Sequence, residues 1–204
     1  MKSRLIKLLI VGAVIAFVGS SLTVQAQTAA IELLSGASTI VVQDNGVGDT
    51  SSALGDIQWN GSINGWTIVV TTGDSKPILG SAASPQMDLS VTSATPGAGA
   101  LTVEFTDTGF TGNGAIINTT NGGNNGTSVE TASVWVDPTD TQFGGSPATS
   151  VGVSPYSLTI VDCFTVGTVS ADDRVSVSVP DGGMTVLLLG AALTGLGLLK
   201  RRLA

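Results

Sequence analysis

The sequence predicts an all-β fold, an antiparallel β-sandwich, between two apolar terminal segments. Three observations predict it. Short stretches alternate apolar and polar residues with a period of two, the spacing that places alternate side chains of a strand on opposite faces. Segments rich in Gly, Asn, Asp and Pro separate these stretches, as turns separate short strands. No long pattern with the 3.6-residue period of an amphipathic helix competes with them.

The alternation is clearest at residues 101–106 and 175–179, where leucine, valine or phenylalanine alternates with threonine, serine or glutamate. Six further segments have the composition of strands: 31–34, 39–42, 65–72, 87–93, 128–136 and 156–166. Short strands joined by turn-rich segments favour a sandwich of jelly-roll or immunoglobulin-like type. A closed barrel ranks second, because nothing in the pattern fixes closure.

Two segments between the strands are predicted loops. Residues 118–127 consist of Asn, Gly and Thr, offer nothing to bury, and are predicted to form a mobile hairpin tip. Residues 138–155 are rich in Gly, Ser and Pro and are predicted to form a long surface loop.

The amino-terminal segment has the three parts of a secretory signal. Lys2, Arg4 and Lys7 form a basic region, residues 8–18 supply an apolar region, and small residues precede a cleavage site after Ala26. The alternative, a first transmembrane helix, is disfavoured because the apolar run is too short to span a bilayer. We therefore predict a signal peptide at residues 1–26, removed by signal peptidase.

The carboxyl-terminal segment, residues 179–204, has three parts as well. The motif Val179-Pro180-Asp181-Gly182-Gly183 precedes the apolar residues 184–199, and Lys200-Arg201-Arg202 follow. As a helix, residues 184–199 would span about 24 Å, somewhat less than the roughly 30 Å of a hydrocarbon core, so they predict a marginal transmembrane helix. The basic triplet is predicted to stop transfer and to stay in the cytoplasm, which leaves the preceding domain outside.

This tripartite tail resembles the VPDSG-type branch of the PEP-CTERM sorting signals, which an integral-membrane exosortase reads in Gram-negative bacteria. The resemblance implies an exported, membrane-anchored precursor that exosortase processes at residues 179–183. It also implies a final location at the cell surface or outside the cell. A plain membrane anchor without processing, or a buried core helix, remains an alternative for residues 184–199.

The middle of the chain carries a second resemblance. Residues 61–66, 72–77, 87–89 and 101–109 look like a recurrent ectodomain of PEP-CTERM proteins whose activity is unassigned. The resemblance implies a secreted β domain associated with the envelope and with extracellular polysaccharide. It supplies no catalytic or binding residues.

One domain, residues 27–178, lies between the terminal segments and is long enough to bury a core. Fourteen Asp and Glu residues there face only two basic residues, Lys76 and Arg174, so the net charge of the domain is near −12. Nucleic acids and anionic lipid surfaces need clustered Lys and Arg. The charge therefore argues against nucleic acid as a partner and favours solubility outside the cell.

The search for catalytic chemistry is mostly negative. The chain contains no histidine, which excludes Ser-His and Cys-His nucleophiles and zinc sites that depend on imidazole. Cys163 is the only cysteine, so no intramolecular disulfide forms. A glycosidase with paired carboxylates stays open, because sequence does not give distances between acids. The prediction is a protein that is not an enzyme and needs no cofactor.

Calcium is the best inorganic ligand candidate. Asp44 and Asp49, and likewise Asp137 and Asp140, place hard oxygen ligands on predicted turns of an acidic extracellular protein, the setting of weak calcium modules. Asp is also an ordinary turn residue, so a purely structural role is the alternative.

Trp135 is the candidate for a sugar contact. Val134 and Val136 define one face of its predicted strand and leave the indole on the other face. Sugars stack on exposed aromatic rings, whereas most such rings belong to a core. The predicted function is therefore a structural or interaction role at the cell surface, and the alternative is a carbohydrate-binding module for exopolysaccharide.

Overall fold

The computed structural model describes residues 29–120, 127–165, 167–178 and 189. The elements in these ranges are twelve strands, arranged in two antiparallel sheets of six strands each. The all-β prediction is therefore confirmed for the described part of the chain.

Sheet A has an edge hairpin at one side and the longest strands at its centre. Its strands, in spatial order, are β2 (Ser38–Gln43), β1 (Ala30–Ser35), β6 (Leu101–Phe110), β11 (Tyr156–Phe164), β8 (Glu130–Asp137) and β9 (Ser146–Pro147). β11 is buried along most of its length, as a central strand covered on both faces must be.

Sheet B places the strand nearest the carboxyl terminus in its interior. Its strands, in spatial order, are β10 (Ser150–Val151), β7 (Gly114–Thr120), β12 (Ser170–Ser178), β5 (Gln86–Thr95), β4 (Trp66–Asp74) and β3 (Asp56–Ile63). β12 pairs with β7 on one side and with β5 on the other.

The predicted alternation decides which side chains face the core. In β6, Leu101, Val103 and Phe105 are fully buried. In β12, Val175 and Val177 face inward in the same way. The buried apolar residues of both sheets form one hydrophobic cluster, so the two sheets share a single core, as in a sandwich. Burying one large apolar side chain contributes roughly 1.5–3 kcal/mol.

Four strands, β3, β7, β9 and β10, were not predicted from the sequence. β3 contains Asn60-Gly61, which is typical of a turn, but the register shifts between Trp59 and Gly61, so a bulge keeps the strand paired with β4. β7 pairs with β12, so residues 118–120 of the predicted hairpin tip are strand instead. The predicted surface loop at 138–155 likewise contains the short strands β9 and β10.

The predicted terminal segments fall largely outside this description. The signal peptide at 1–26 and the transmembrane helix at 184–199, apart from Leu189, lie outside the described residues and stay predictions. Within the described ranges, no helix has the length and the apolar character needed to cross a bilayer. The strands of the domain predicted at 27–178 begin at Ala30 and end at Ser178.

Candidate functional site

Trp135 lies where the alternation of its strand predicts. Val134 and Val136 are buried against the core, and Trp135 is half-buried on the opposite, outer face of sheet A. Its Nε1 donates a hydrogen bond to Ser133 Oγ at 3.1 Å. One edge of the indole is thus fixed by a neighbour two residues away on the same face.

The segment after β8 covers much of this outer face. Ser157 Oγ donates to the Thr141 carbonyl at 2.6 Å, and the Phe143 amide donates to Thr106 Oγ1 at 3.4 Å. This cover explains why Ser157 is fully buried although it belongs to the outer face. Trp135 stands beside the cover, opposite Pro147 of β9 in the strand register.

A groove opens next to Trp135, where the edges of the two sheets meet. Its volume is about 530 Å³. β8 and β9 of sheet A, with the two residues after β9, form one wall. β7 and β10 of sheet B form the other wall. The lining residues are Ile116, Asn118, Ser133, Val134, Pro147, Ala148, Thr149 and Ser150. Ser133, the residue that holds the indole of Trp135, is thus also part of this groove.

Asp44 and Asp49 both serve as hydrogen-bond acceptors in one turn region. Asp44 is buried, and its Oδ2 accepts the Gly55 amide at 2.9 Å. Asp49 Oδ2 accepts the Asn45 amide at 2.7 Å, and its Oδ1 accepts the amides of Ser51 and Gln58 at 2.9 and 3.0 Å. Burial raises the pKa of Asp44, and the nearby Asp49 adds to the shift. These carboxylates hold the chain around β3, and calcium binding by them stays a prediction.

Asp137 and Asp140 hold the turn that follows β8. Asp137 Oδ1 accepts the Thr139 amide at 2.8 Å, and Oδ2 accepts the Thr141 hydroxyl. These bonds, led by the one from Thr141, lower the pKa of Asp137 to about 2. Asp140 Oδ1 accepts the Gly109 amide at 2.7 Å. Donors of the protein already occupy these oxygens, and a calcium role for them also stays a prediction.

A different set of acids meets inside the sandwich. Glu130 of β8 and Asp162 of β11 lie on the inner face of sheet A, and Asp173 of β12 lies on the inner face of sheet B. One carboxylate oxygen from each lies within 4.8 Å of the others. Asp162 and Asp173 are fully buried, and Glu130 is half-buried.

Burial and mutual repulsion act on the protonation of this cluster. Burial raises the pKa of Asp162 well above its ordinary value, and the charges of Asp173 and Glu130 raise it further. Burial likewise raises the pKa of Glu130 to about 7, with Asp173 as the second cause. All the neighbours that cause these shifts are acids.

The sequence analysis missed this cluster, although its alternation contains the signal. In β11, Leu158, Ile160 and Phe164 face inward with a period of two, and Asp162 occupies the position between Ile160 and Phe164. In β12, the inward series of Val177 and Val175 continues to Asp173. An acid in the apolar register of two strands indicates a buried carboxylate, a stronger signal than an Asp in a turn.

The predicted sorting residues come directly after β12, outside the described residues. Residues 178–203 match the family model of the VPDSG-CTERM motif. The chain carries a VPDSG-CTERM motif. The match includes Pro180, Asp181 and the basic residues Lys200, Arg201 and Arg202, so the predicted resemblance of the tail is confirmed.

The VPDSG-CTERM motif begins at Ser178, which is also the last residue of β12. The motif therefore begins at the residue where the last described strand ends. No significant match to the chain was found among curated proteins or among solved structures. The resemblance of residues 61–109 to a recurrent ectodomain stays a prediction.

Proposed function

We propose that this VPDSG-CTERM protein is exported, anchored in the membrane by residues 184–199, processed by exosortase at residues 179–183, and released to the cell surface or extracellular matrix of a Gram-negative bacterium. There it acts as a structural or interaction protein without catalysis. The observation that carries the proposal is the motif at residues 178–203. The predicted signal peptide, with cleavage after Ala26, supplies the export step.

The strand bounds support a β domain that is followed by a separate sorting tail. Both sheets are formed by strands between Ala30 and Ser178, and the described buried residues of these strands form one cluster. We expect both sheets and their shared core to remain folded when the tail is removed.

The chemistry of the domain favours an interaction role. The chain has no histidine for acid–base work near neutral pH. The turn carboxylates of Asp49 and Asp137 accept hydrogen bonds from neighbouring backbone amides, which is a structural use of these groups. The strongly acidic domain also stays soluble and resists self-association outside the cell.

Mass spectrometry of the protein recovered from an exosortase-positive host tests the processing step. We expect a mature chain that starts at Gln27 and lacks Arg202, and an unprocessed carboxyl terminus in a host without exosortase. Pro180→Ala and Asp181→Ala should leave the tail attached. Pro138→Ala, in an exposed turn far along the sequence from the motif, is the matched control and should be processed normally. A mature protein that retains Arg202 in the exosortase-positive host contradicts the proposal.

A second candidate function is carbohydrate binding, and the strand order favours it. The strands β5 to β12 form two four-stranded halves, β10-β7-β12-β5 and β6-β11-β8-β9. We infer from this order a jelly roll rather than an immunoglobulin-like type, and jelly rolls include lectin domains. Fold alone does not assign function, so the candidate depends on Trp135, whose indole is half-buried on the outer face beside the groove.

Sedimentation with the polysaccharide of the host tests this candidate. We expect Trp135→Ala to lower the bound fraction at least tenfold. Val41→Ala removes an exposed apolar side chain from the same outer face and should leave binding unchanged. Equal binding by wild type and Trp135→Ala removes the sugar contact while leaving the sorting proposal intact.

A further inference from the structure

Five buried carboxylate oxygens converge between the two sheets without partners. Asp162 and Asp173 are both 0% exposed. Within the described ranges, neither oxygen of either carboxylate has a hydrogen-bond partner, and Glu130 Oε1 is also buried without one. The mutual distance of at most 4.8 Å between one oxygen of each residue places them around one point. Buried polar groups almost always have a hydrogen-bond partner in native proteins. Five unpartnered oxygens in one place therefore indicate a site for a bound ligand or for protons.

The three carboxylates need a positive charge to compensate them. Several ionised carboxylates that are buried close together are strongly unfavourable, unless a proton or a cation compensates their charge. The two basic residues of the domain are engaged elsewhere. Lys76 forms an ion pair with Asp107 at 2.7 Å, and Arg174, next to Asp173 in β12, faces the outer surface against Asp88 at 3.4 Å.

We propose that Glu130, Asp162 and Asp173 bind one calcium ion. Carboxylate oxygens without nitrogen or sulfur ligands select a hard cation. Calcium holds its oxygens at about 2.3–2.6 Å, so two ligands of one ion lie up to roughly 5 Å apart, which accommodates the 4.8 Å limit of this cluster. Magnesium loses its waters reluctantly and usually keeps several of them, which suits a site with two fully buried aspartates less well than calcium does.

The site differs in kind from the turn acids. At the turns, donors of the protein already occupy the carboxylates, whereas the five oxygens of the cluster are unused. Glu130, which is half-buried, gives the ion a route from solvent. A bound ion would connect Glu130 and Asp162 of sheet A with Asp173 of sheet B. It would therefore add a link between the two sheets within their shared core.

Metal titration of the full chain tests the proposal. Protein stripped with EDTA is titrated with CaCl₂ and, in parallel, with MgCl₂, and is followed by calorimetry and by thermal unfolding. We expect one calcium ion per chain, with a dissociation constant of roughly 10⁻⁴–10⁻³ M, as in extracellular calcium modules. The melting temperature should rise more with calcium than with the same concentration of magnesium.

Substitutions separate this site from the turns. Asp162→Asn and Asp173→Asn should each weaken calcium binding at least tenfold and abolish the rise in melting temperature. Without calcium, each variant should be at least as stable as the wild type, because one repelling charge is gone. Asp140→Asn, which keeps an oxygen for the Gly109 amide, is the matched control and should respond to calcium like the wild type.

Two results would overturn the proposal. One is the absence of any calcium binding or stabilisation at millimolar calcium, which would mean that shared protons compensate the carboxylates. The other is a full calcium response in both Asp variants. If the Asp variants fail to fold, Glu130→Gln at the half-buried edge decides the question by the same titration.

Discussion

Lys76 Nζ lies 2.7 Å from Asp107 Oδ2, and both side chains are buried. Ser75 Oγ also donates to this Asp107 oxygen at 2.6 Å, and the Thr108 amide donates to Oδ1 at 2.7 Å. The ammonium group lies 4.5 Å from the centre of the Phe110 ring. This ion pair connects the segment after β4 with β6, and therefore connects the two sheets.

Removing one partner of this pair should be strongly destabilising. Lys76→Met leaves the Asp107 carboxylate buried without its counter-ion, and we expect the free energy of unfolding to fall by about 3–5 kcal/mol. Urea unfolding measures it. The double variant Lys76→Met/Asp107→Leu should recover much of the loss, because no charge stays buried. A loss below about 1 kcal/mol in the single variant would contradict the structural role of the pair.

Gly73 in β4 has no room for a side chain. A Cβ atom there would lie 2.7 Å from Phe105 Cδ2, within the shared core. We expect Gly73→Ala to lower the free energy of unfolding by about 1–3 kcal/mol through overpacking. Gly152→Ala is the matched control, since nothing lies within 4 Å of the added methyl group, and its effect should stay within about 0.5 kcal/mol. Equal effects of the two substitutions would refute the crowding at Gly73.

Tyr156 is fully buried, and its hydroxyl donates a hydrogen bond to the Gly112 carbonyl. Tyr156→Phe should cost about 1–3 kcal/mol, because the carbonyl loses its donor. The loss should appear as a lower urea midpoint at neutral pH.

The ionisation of the same phenol can be followed directly. Burial raises its pKa from the ordinary value of 10.0 to about 12. The folded state then holds the proton more tightly than the unfolded state, so stability should fall as pH rises from about 10 to 12. Tyr156 is the only tyrosine in the chain, so tyrosinate absorbance reports it alone. Titration of the native protein near pH 10 would show that the phenol is solvated.

Asp88 should make the domain less stable as pH rises from about 4 to about 7. Burial, and then Asp172, raise its pKa to about 7, while Arg174 opposes the shift. Asp74, directly opposite in β4, adds further repulsion. Because the folded-state pKa is the higher one, the stability of the folded state decreases between about pH 4 and pH 7.

Urea midpoints at pH 5 and pH 8, in EDTA, test this prediction. Asp88→Asn should lose less stability between the two values than the wild type does. Ser90→Ala, on the same face of β5, is the uncharged control and should behave like the wild type. An identical loss in Asp88→Asn would assign the pH dependence to other groups.

The sequence predicted those strands whose side chains alternate cleanly. β6 and β12 follow from hydrophobic periodicity alone, because a strand with one buried face must alternate. β3 was missed because Asn60-Gly61 is typical of a turn, and only the pairing with β4 shows that a bulge absorbs it. Short strands such as β10 depend on tertiary pairing and leave no pattern.

The candidate sites also differ in whether the sequence alone reveals them. The outward placement of Trp135 follows from its two valine neighbours and is visible in one strand. The acidic cluster needs Asp162 and Asp173, which lie on different sheets and come together only through packing. The pattern could place each aspartate on an inner face, but it could not show that the two faces meet. The sorting motif was recognisable because it is contiguous in sequence.

The interior position of β12 would couple folding to the maturation that we propose. β12 is synthesised after the other eleven strands, yet it fills the place between β7 and β5 in the middle of sheet B. Before it arrives, β7 and β5 each lack a partner on the edge that β12 later fills, and the inner face lacks Asp173 and Val175. If export begins at the amino-terminal signal, the proposed cleavage segment would follow directly after the strand that completes the domain. A protease acting there would meet a finished domain, and the timing of release would need no separate signal.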